Sequence, residues 1–230
     1  MNRSILFIFM FIFMFVLASC HHSLDLSKIQ LNSDSKTYHL DDYDVFRRQE
    51  QKGHFEYSEK DKSLNLIDNG ERVISYIFMD EYVKNIHFAG LKINPTLGAE
   101  IADYNGKIAF ISAEIDSSET LKLIAYLMNT LGEPTKIYEN SVIEKFRQIP
   151  CQKMSEALPS YTKREDGEFI YPDLLVWEKE DVIYSLRLDP QTEVLGNYLR
   201  IITKEAFNDN VILDNRNVEE KGAIYCVLKD

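Results

Sequence analysis

An apolar run at the N-terminus separates the chain into a leader and a part that can form a globular domain. Residues 5–17 are all apolar and follow a short start that contains Arg3. At 1.5 Å per helical residue, about 13 residues span about 20 Å, which is less than the roughly 30 Å hydrocarbon layer of a bilayer. A charged start and a short apolar run are typical of a secretory signal peptide and not of a membrane span.

The sequence Leu17-Ala18-Ser19-Cys20 follows this run directly. It resembles the lipobox of bacterial lipoproteins, in which an aliphatic residue and two small residues precede a cysteine. The resemblance implies that residues 1–19 are a signal peptide, that cleavage occurs before Cys20, and that the Cys20 thiol carries lipid, including palmitate. Several acyl chains give stable membrane anchoring, since one chain holds only reversibly. The alternative is an ordinary secretory signal that ends near Ala18.

The residues after the predicted cleavage site bear on localisation. His21 and His22 follow Cys20, whereas many lipoproteins that stay in the inner membrane of Gram-negative bacteria carry an aspartate at this point. The resemblance therefore favours the outer membrane over the inner one, with the domain facing the periplasm or the cell surface.

The composition of the exported part indicates a folded, acidic protein. Removal of the leader leaves about 210 residues, enough for one large domain with a real core. The formal net charge of the whole chain is −11, and loss of Arg3 makes the exported part more acidic. Nucleic acid is not an expected partner, because binding phosphates requires clustered Lys and Arg. An acidic surface keeps the protein soluble and can also steer a basic protein partner toward it.

Two cysteines remain after Cys20, namely Cys151 and Cys226. Exported compartments are usually oxidising, so the pair can form a disulfide. The alternative is that Cys226, in the apolar run 223–228, is simply a small buried residue.

The polar residues 20–36 predict a flexible tether, and residues 37–230 predict a single globular domain with a possible subdivision near residue 116. Asn69-Gly70 and Asn105-Gly106 each lie between apolar runs, which favours type I′ hairpin turns. The first turn would pair 64–67 with 73–79, and the second would lead into a strand at 107–115. Residues 85–93 predict a strand with a bulge at Gly90.

The clearest helix covers residues 117–131. Asp116 can cap it with Glu119 three residues later, and Gly132 and Pro134 end it. Its predicted apolar face comprises Leu121, Ile124, Ala125, Met128 and Leu131. Residues 141–149 suit a short helix or a strand that ends at Pro150, and residues 151–170 suit a long loop or a turn of helix.

The C-terminal third returns to strands. Residues 174–177 and 182–188 flank a charged turn and predict a hairpin, and further strands are predicted at 198–203 and 224–228. No strand-helix-strand alternation is sustained. We therefore predict an α+β fold, mainly antiparallel sheet with one or two helices packed on it.

No motif for catalysis or phosphate binding is present, so no catalytic residue, metal ligand or cofactor is predicted. A possible binding patch surrounds the single tryptophan: Tyr171, Trp177, Glu178, Glu180 and Asp181. Trp and Tyr are enriched in protein interfaces, whereas the acids around Trp177 can also line a sugar site. The alternative is a solvated turn.

The helix, the sequence Leu131-Gly132-Glu133-Pro134-Thr135 and the Trp-bearing hairpin together resemble small immunity-like α+β proteins of bacteria. The leading hypothesis is a membrane-anchored, non-enzymatic protein-binding module, and the resemblance implies one of immunity or inhibitor type. One alternative is a structural or assembly subunit of an envelope complex. A second is a carboxylate-dependent glycan hydrolase, which needs two acids across a cleft.

Overall fold

The computed structural model describes residues 23–58 and 63–209. The strands are β1 (Leu24–Asp25), β2 (Arg47–Ser58), β3 (Ser63–Phe78), β4 (Ile86–Phe88), β5 (Leu91–Lys92), β6 (Ala99–Tyr104), β7 (Lys107–Ala113), β8 (Lys136–Ile143), β9 (Lys163–Glu165), β10 (Glu168–Glu178), β11 (Val182–Pro190) and β12 (Leu195–Thr203). The helices are α1 (Thr120–Leu131), α2 (Gln148–Ala157) and α3 (Lys204–Asn208), and short 3₁₀ turns connect several elements.

One large antiparallel sheet organises the fold. Its nine strands run in the order β2-β3-β6-β7-β12-β11-β10-β8, with β9 paired to β10 beside this path. A small sheet, in the order β1-β4-β5, packs against it. The predicted α+β class with a mainly antiparallel sheet is confirmed.

The two faces of the large sheet are covered differently. The helix-side face carries α1, α2 and the small sheet, and its core includes Phe78, Leu123 and Trp177. On the opposite face, α3 contributes Ala206 and Phe207 to two smaller apolar clusters. Alternate residues of the strands face these two sides, as the period of two in a strand requires.

Helix α1 ends where the sequence predicts, but it begins at Thr120, three residues later than predicted, and its packing also differs. Asp116 accepts the Ser118 N–H at 2.9 Å and caps the 3₁₀ turn Ser117–Glu119 that precedes α1. Glu119 accepts the Lys92 N–H, so the predicted capping box does not form, and Gly132, at φ 79°, ends the helix. The deepest side chains are Leu123, Ile124 and Leu127, whereas Ala125 is exposed. The buried face is therefore rotated relative to the predicted one.

The predicted tether is wrong from residue 24 onward, because the segment is part of the core. Its isolated apolar residues Leu24, Leu26 and Ile29 are all buried. The Asp25 carboxylate accepts the Ser27 and Ala89 N–H groups, which fixes the segment to the small sheet. Further along, the Asn32 N–H donates to the Ile108 carbonyl at 2.8 Å.

The hairpin predicted at Asn69-Gly70 is also wrong. Residues 64–67 and 73–78 belong to one long strand, β3, and both parts pair with β2. Asn69-Gly70 instead lies in a wide bulge opposite Gly53, between the Lys52–Arg72 and His54–Ile67 pairs. Gly53 has φ +98°, and a Cβ there would lie 1.9 Å from the Ile67 carbonyl oxygen. The bulge therefore requires glycine at position 53.

Of the two other predictions that involve glycine, the turn at Asn105-Gly106 is confirmed and the bulge at Gly90 is wrong. Asn105 and Gly106 join β6 to β7 with φ values of 52° and 87°, as a type I′ turn requires. Gly90 is a turn residue and not a bulge, because β4 and β5 pair with each other across Ala89 and Gly90. The predicted strand at 85–93 is thus a small hairpin.

Residues 136–158 differ from the prediction in both element type and position. The segment up to Ile143 is strand β8, Glu144–Phe146 is a 3₁₀ turn, and α2 begins at Gln148. Pro150 lies in the first turn of α2 and does not end a helix. The first turn tolerates proline because its N–H groups have no intrahelical acceptor. The predicted loop at 151–170 starts with the body of this helix.

The C-terminal prediction is confirmed for the hairpin β10–β11 and for strand β12. The strand predicted at 224–228 lies outside the described residues. Residue 116 is not a domain boundary, because β7, which precedes it, pairs directly with β12, which follows it.

Candidate binding surface

Trp177, the centre of the predicted patch, is a core residue. Its side chain is 0% exposed, and its indole Nε1–H donates to the Gly132 carbonyl oxygen at 2.8 Å. Gly132 is the residue at which α1 ends. Trp177 therefore joins the middle of the sheet to the C-terminal end of α1 and is not available to a partner or a sugar.

Tyr171 is buried on the same face of β10, only 4% exposed. Its ring stacks on that of Phe169, with centroids 6.4 Å apart and an interplanar angle of 9°. Burial, together with the nearby Asp173 and Asp189 charges, raises the pKa of Tyr171 to about 12. The phenol is thus neutral and structural at physiological pH.

The acids of the predicted patch are not buried with these rings. Glu178 pairs with the Lys136 ammonium at 3.0 Å, and Glu180 and Asp181 are exposed in the β10–β11 turn. The Lys179 ammonium donates to the Leu131 carbonyl at 2.8 Å, which ties the turn to α1. The predicted patch is therefore wrong as one surface, because its aromatic rings are buried whereas Glu180 and Asp181 are exposed.

The predicted lipid and disulfide sites are only partly within the described residues. Cys20 and Cys226 lie outside them. Cys151 lies on α2, is fully buried and forms no disulfide with a described residue. Burial raises the pKa of its thiol, so it is a poor nucleophile. Lipidation of Cys20 and pairing of Cys151 with Cys226 stay predictions.

A different stretch exposes large apolar side chains. We call residues 143–149, between β8 and the first turn of α2, the apolar segment. Within it, Ile143 is 52% exposed, Phe146 is 61% exposed and Ile149 is 51% exposed. Ile143 ends β8, Phe146 ends the 3₁₀ turn that follows, and Ile149 lies in the first turn of α2, so the three exposed side chains fall within seven residues.

Polar contacts fix the backbone of the apolar segment while its apolar side chains face solvent. The Arg164 guanidinium holds the Glu144 carboxylate through Nε and Nη2, with distances of 2.9 to 3.0 Å. These hydrogen bonds lower the pKa of Glu144 below its ordinary value. Arg147 donates to the Pro190 carbonyl oxygen on β11. The Lys145 ammonium lies 4.8 Å from the centre of the Phe146 ring.

The chemistry of this surface suits contact with another apolar surface. The Lys145 ammonium lies beside the exposed Phe146 ring, and Glu144 is already engaged by Arg164. Across residues 23–58 and 63–209, no group of three or more His, Cys, Asp or Glu side chains is placed to hold a metal ion. In the same part of the chain, no helix is long and apolar enough to cross a membrane.

Sequence reasoning missed the apolar segment for an identifiable reason. Ile143, Phe146 and Ile149 recur at intervals of three, a spacing typical of one buried side of a helix. Exposure depends on β8 being the last strand of the sheet path, which the sequence alone does not give. The available signal was the mixture of these apolar residues with charged Glu144, Lys145 and Arg147 in one short stretch.

Comparisons with other proteins add no family to this picture. The chain matches no protein-family model, and it has no significant similarity to a curated protein or a solved structure.

Proposed function

We propose that the chain is a lipid-anchored envelope protein whose exported domain binds another protein, without catalysing a reaction, through the apolar segment. The anchoring part of the proposal rests on the resemblance of Leu17-Ala18-Ser19-Cys20 to a lipobox. The binding part rests on one observation, the exposure of Ile143, Phe146 and Ile149.

Exposure of these three side chains together is what supports binding. Single exposed apolar residues are normal on protein surfaces, whereas contiguous apolar patches mark interaction sites. Among the large apolar side chains of the described residues, Phe146 has the largest exposed fraction, at 61%. Aromatic residues in the centre of an interface are frequent hot spots of binding energy.

The fixed backbone around the patch strengthens this argument. The Arg164–Glu144 contact and the Arg147 bond to Pro190 hold the apolar segment in one conformation. A surface that is already ordered loses little conformational entropy when it binds. Phe146 is therefore presented as a preorganised anchor.

The proposed partner is a basic protein, and the class that best fits this chemistry is an effector neutralised by an immunity or inhibitor protein. The formal net charge of the chain is −11, which favours encounter with a positively charged partner at low and moderate salt. Apolar contact at the segment then supplies the short-range part of the affinity.

A pull-down from the envelope and secreted fractions of the producing cell tests the proposal. The bait is a soluble chain that starts after Cys20, at about 150 mM salt, where charge attraction is screened beyond about 8 Å. Phe146→Ser should weaken capture of the partner by about 2 kcal/mol, or about 30-fold in Kd. Phe46→Ser is the matched control, since Phe46 is an exposed phenylalanine outside the segment, 43% exposed.

The identity of a stoichiometric partner decides between the related functions. A secreted basic protein supports immunity or inhibition, whereas a component of an envelope complex supports the assembly alternative. Capture of no partner, or equal loss with Phe146→Ser and Phe46→Ser, contradicts binding through the apolar segment. The glycan-hydrolase alternative is less well supported, because the Trp177 ring around which the sugar site was predicted is buried.

A further inference from the structure

The chain is fixed in the fold almost as soon as it leaves Cys20. Ser23 is the first described residue, and its hydroxyl contacts the His87 ring at 3.2 Å. Leu24 begins β1 and donates its N–H to the Asn85 carbonyl at 2.8 Å. Leu26 is 0% exposed. No free linker therefore exists beyond Ser23.

Covalent geometry then limits the distance between the lipid and the domain. Cys20 lies three positions before Ser23, and an extended chain advances at most about 3.6 Å per residue. Ser23 is thus within about 11 Å of Cys20, against about 60 Å for a tether that ran to residue 36. A lipid on Cys20 brings the Ser23 end of the domain directly to the bilayer surface.

The parallel pairing of β1 and β4 shows which residues share this end. Leu24 is paired with Ile86, so the start of β1 lies beside the start of β4. The 3₁₀ turn Asp80–Val83, followed by exposed Lys84 and Asn85, leads into β4. These residues therefore lie at the end where the chain leads back to Cys20.

An aromatic pair extends this end toward the edge of the large sheet. The rings of Tyr82 and Phe46 meet edge to face, with centroids 6.3 Å apart. Phe46 is 43% exposed, and the Arg47 guanidinium lies 5.8 Å from its ring centre. Aromatic rings with apolar bodies and basic side chains with long apolar stems are both suited to a membrane-water interface.

We propose that this anchor-side surface, formed by Phe46, Arg47, Tyr82, Lys84 and Asn85, rests on phospholipid headgroups. The proposal rests on the lipid anchoring of Cys20 proposed above. Asp80 and Glu81 are exposed on the same turn as Tyr82, so the surface carries both signs of charge. Mixed charge suits a zwitterionic headgroup layer better than a strongly anionic one, which attracts clusters of Lys and Arg.

Contact of the anchor-side surface with headgroups would also orient the domain. With the Ser23 end against the bilayer, the protein cannot rotate freely about a long tether. Surfaces on the rest of the domain, including the apolar segment, are presented in a defined direction relative to the membrane.

Fluorescence quenching in vesicles tests this orientation. A chain that starts at Cys20 and carries Cys226→Ser is coupled through the Cys20 thiol to a maleimide phospholipid in phosphatidylcholine vesicles. Cys151 is fully buried and does not compete for the coupling. The probe is Tyr82→Trp, quenched by a phosphatidylcholine whose headgroup carries a nitroxide. Trp177 is buried and gives a constant background.

The matched control lengthens the tether. A Gly-Ser spacer inserted between Cys20 and Ser23 restores the length that a tether to residue 36 would have. We expect strong quenching of Tyr82→Trp in the native-length chain and a large loss of quenching with the spacer. Strong quenching in both chains also supports the contact and shows that the surface holds lipid by itself. Equally weak quenching in both chains overturns the inference.

A second experiment tests lipid anchoring of Cys20 independently of the vesicle experiment. In cells, labelled palmitate should be incorporated into the wild-type chain and not into Cys20→Ser. Absence of label in the wild type overturns lipid anchoring in the cell. The vesicle result does not depend on this modification, because the coupling there is chemical.

Discussion

The Trp177 hairpin and the apolar segment have opposite exposure to what their compositions suggest. The hairpin β10–β11 contains the only tryptophan next to four charged residues, yet the ring is 0% exposed. The apolar segment contains side chains typical of a core, yet Phe146 is 61% exposed. Position in the fold distinguishes the two, since β10 is an inner strand covered by α1, whereas the apolar segment starts at the end of β8, the last strand of the sheet path. Residue type alone therefore does not identify an interaction surface in this protein.

The largest expected effect is on the hairpin. Trp177→Ala should lower the free energy of unfolding by about 3 to 5 kcal/mol, because it removes a fully buried ring and leaves a cavity. Trp177→Phe keeps most of the apolar contact but loses the hydrogen bond to Gly132, and should cost less. Urea denaturation checks both variants. A loss under 1 kcal/mol for Trp177→Ala would contradict the structural role of the ring, since about 1 kcal/mol is typical of an average substitution.

The next effect concerns Tyr171 at alkaline pH. Its pKa is about 12 in the folded protein, above the ordinary value of 10.0. The folded state holds the Tyr171 proton more tightly than the unfolded state does. The contribution of this difference to the free energy of unfolding is therefore complete below pH 10 and is lost as the pH rises from 10 to 12. The loss should be on the order of 2 kcal/mol. Urea denaturation between pH 9 and 12 checks this. In Tyr171→Phe the free energy of unfolding should fall less steeply with pH than in the wild type, and an unchanged slope would contradict burial of the phenol.

A smaller effect is expected at the contact that fixes the apolar segment. Glu144→Gln weakens the hold of Arg164, so amide hydrogen exchange over residues 145–149 should accelerate at neutral pH. In the wild type, the pKa of Glu144 is lowered below the ordinary value of 4.5, so the carboxylate stays charged and keeps its contact with Arg164 as the pH falls to that value. The contact is lost only at lower pH, where the carboxylate is protonated. Exchange rates corrected for intrinsic chemistry check this, and no difference between the two chains would contradict a fixed segment.

Substitution of Phe146 should separate stability from binding. Phe146→Ser should change the free energy of unfolding by no more than about 0.5 kcal/mol, because surface substitutions away from buried features are nearly neutral. The same substitution should strongly weaken partner capture. A large loss of stability would show that Phe146 belongs to the core and would remove the contrast with Trp177.

Elements with strong local signals were predictable from the sequence. The Asn105-Gly106 turn has positive φ at both residues, Asp116 caps the 3₁₀ turn that leads into α1, and β10–β11 form a hairpin around a charged turn. In each case the residues that determine the element lie within a few positions of it. Backbone preference and capping therefore decide the outcome locally.

Elements determined by distant residues were predicted wrongly. Asn69-Gly70 suits a turn or a bulge equally well, and the choice depends on pairing of β3 with β2 and on Gly53. Residues 23–36 look like a polar tether, but their few apolar side chains are buried through β4, which lies more than fifty positions later in the chain. Sequence windows do not contain such long-range partners.

The predicted binding patch around Trp177 was wrong, and the apolar segment was missed, for the same reason. Predicting that Trp177 is buried requires knowledge that α1 ends with Gly132 beside it. Predicting that Ile143, Phe146 and Ile149 are exposed requires knowledge that β8 is the last strand in the path of the sheet. The acidic charge and the predicted anchor, by contrast, are properties of the sequence itself and need no tertiary information.

Site-specific photocrosslinking in the producing cell tests the central claim most directly. A photoreactive benzoylphenylalanine replaces Phe146 in the full chain, and the same group at Phe46 serves as the matched control. Our account predicts one discrete protein adduct from position 146 and no protein adduct from position 46, which lies on the proposed anchor-side surface. No protein adduct from position 146, or the same adducts from both positions, would contradict protein binding through the apolar segment.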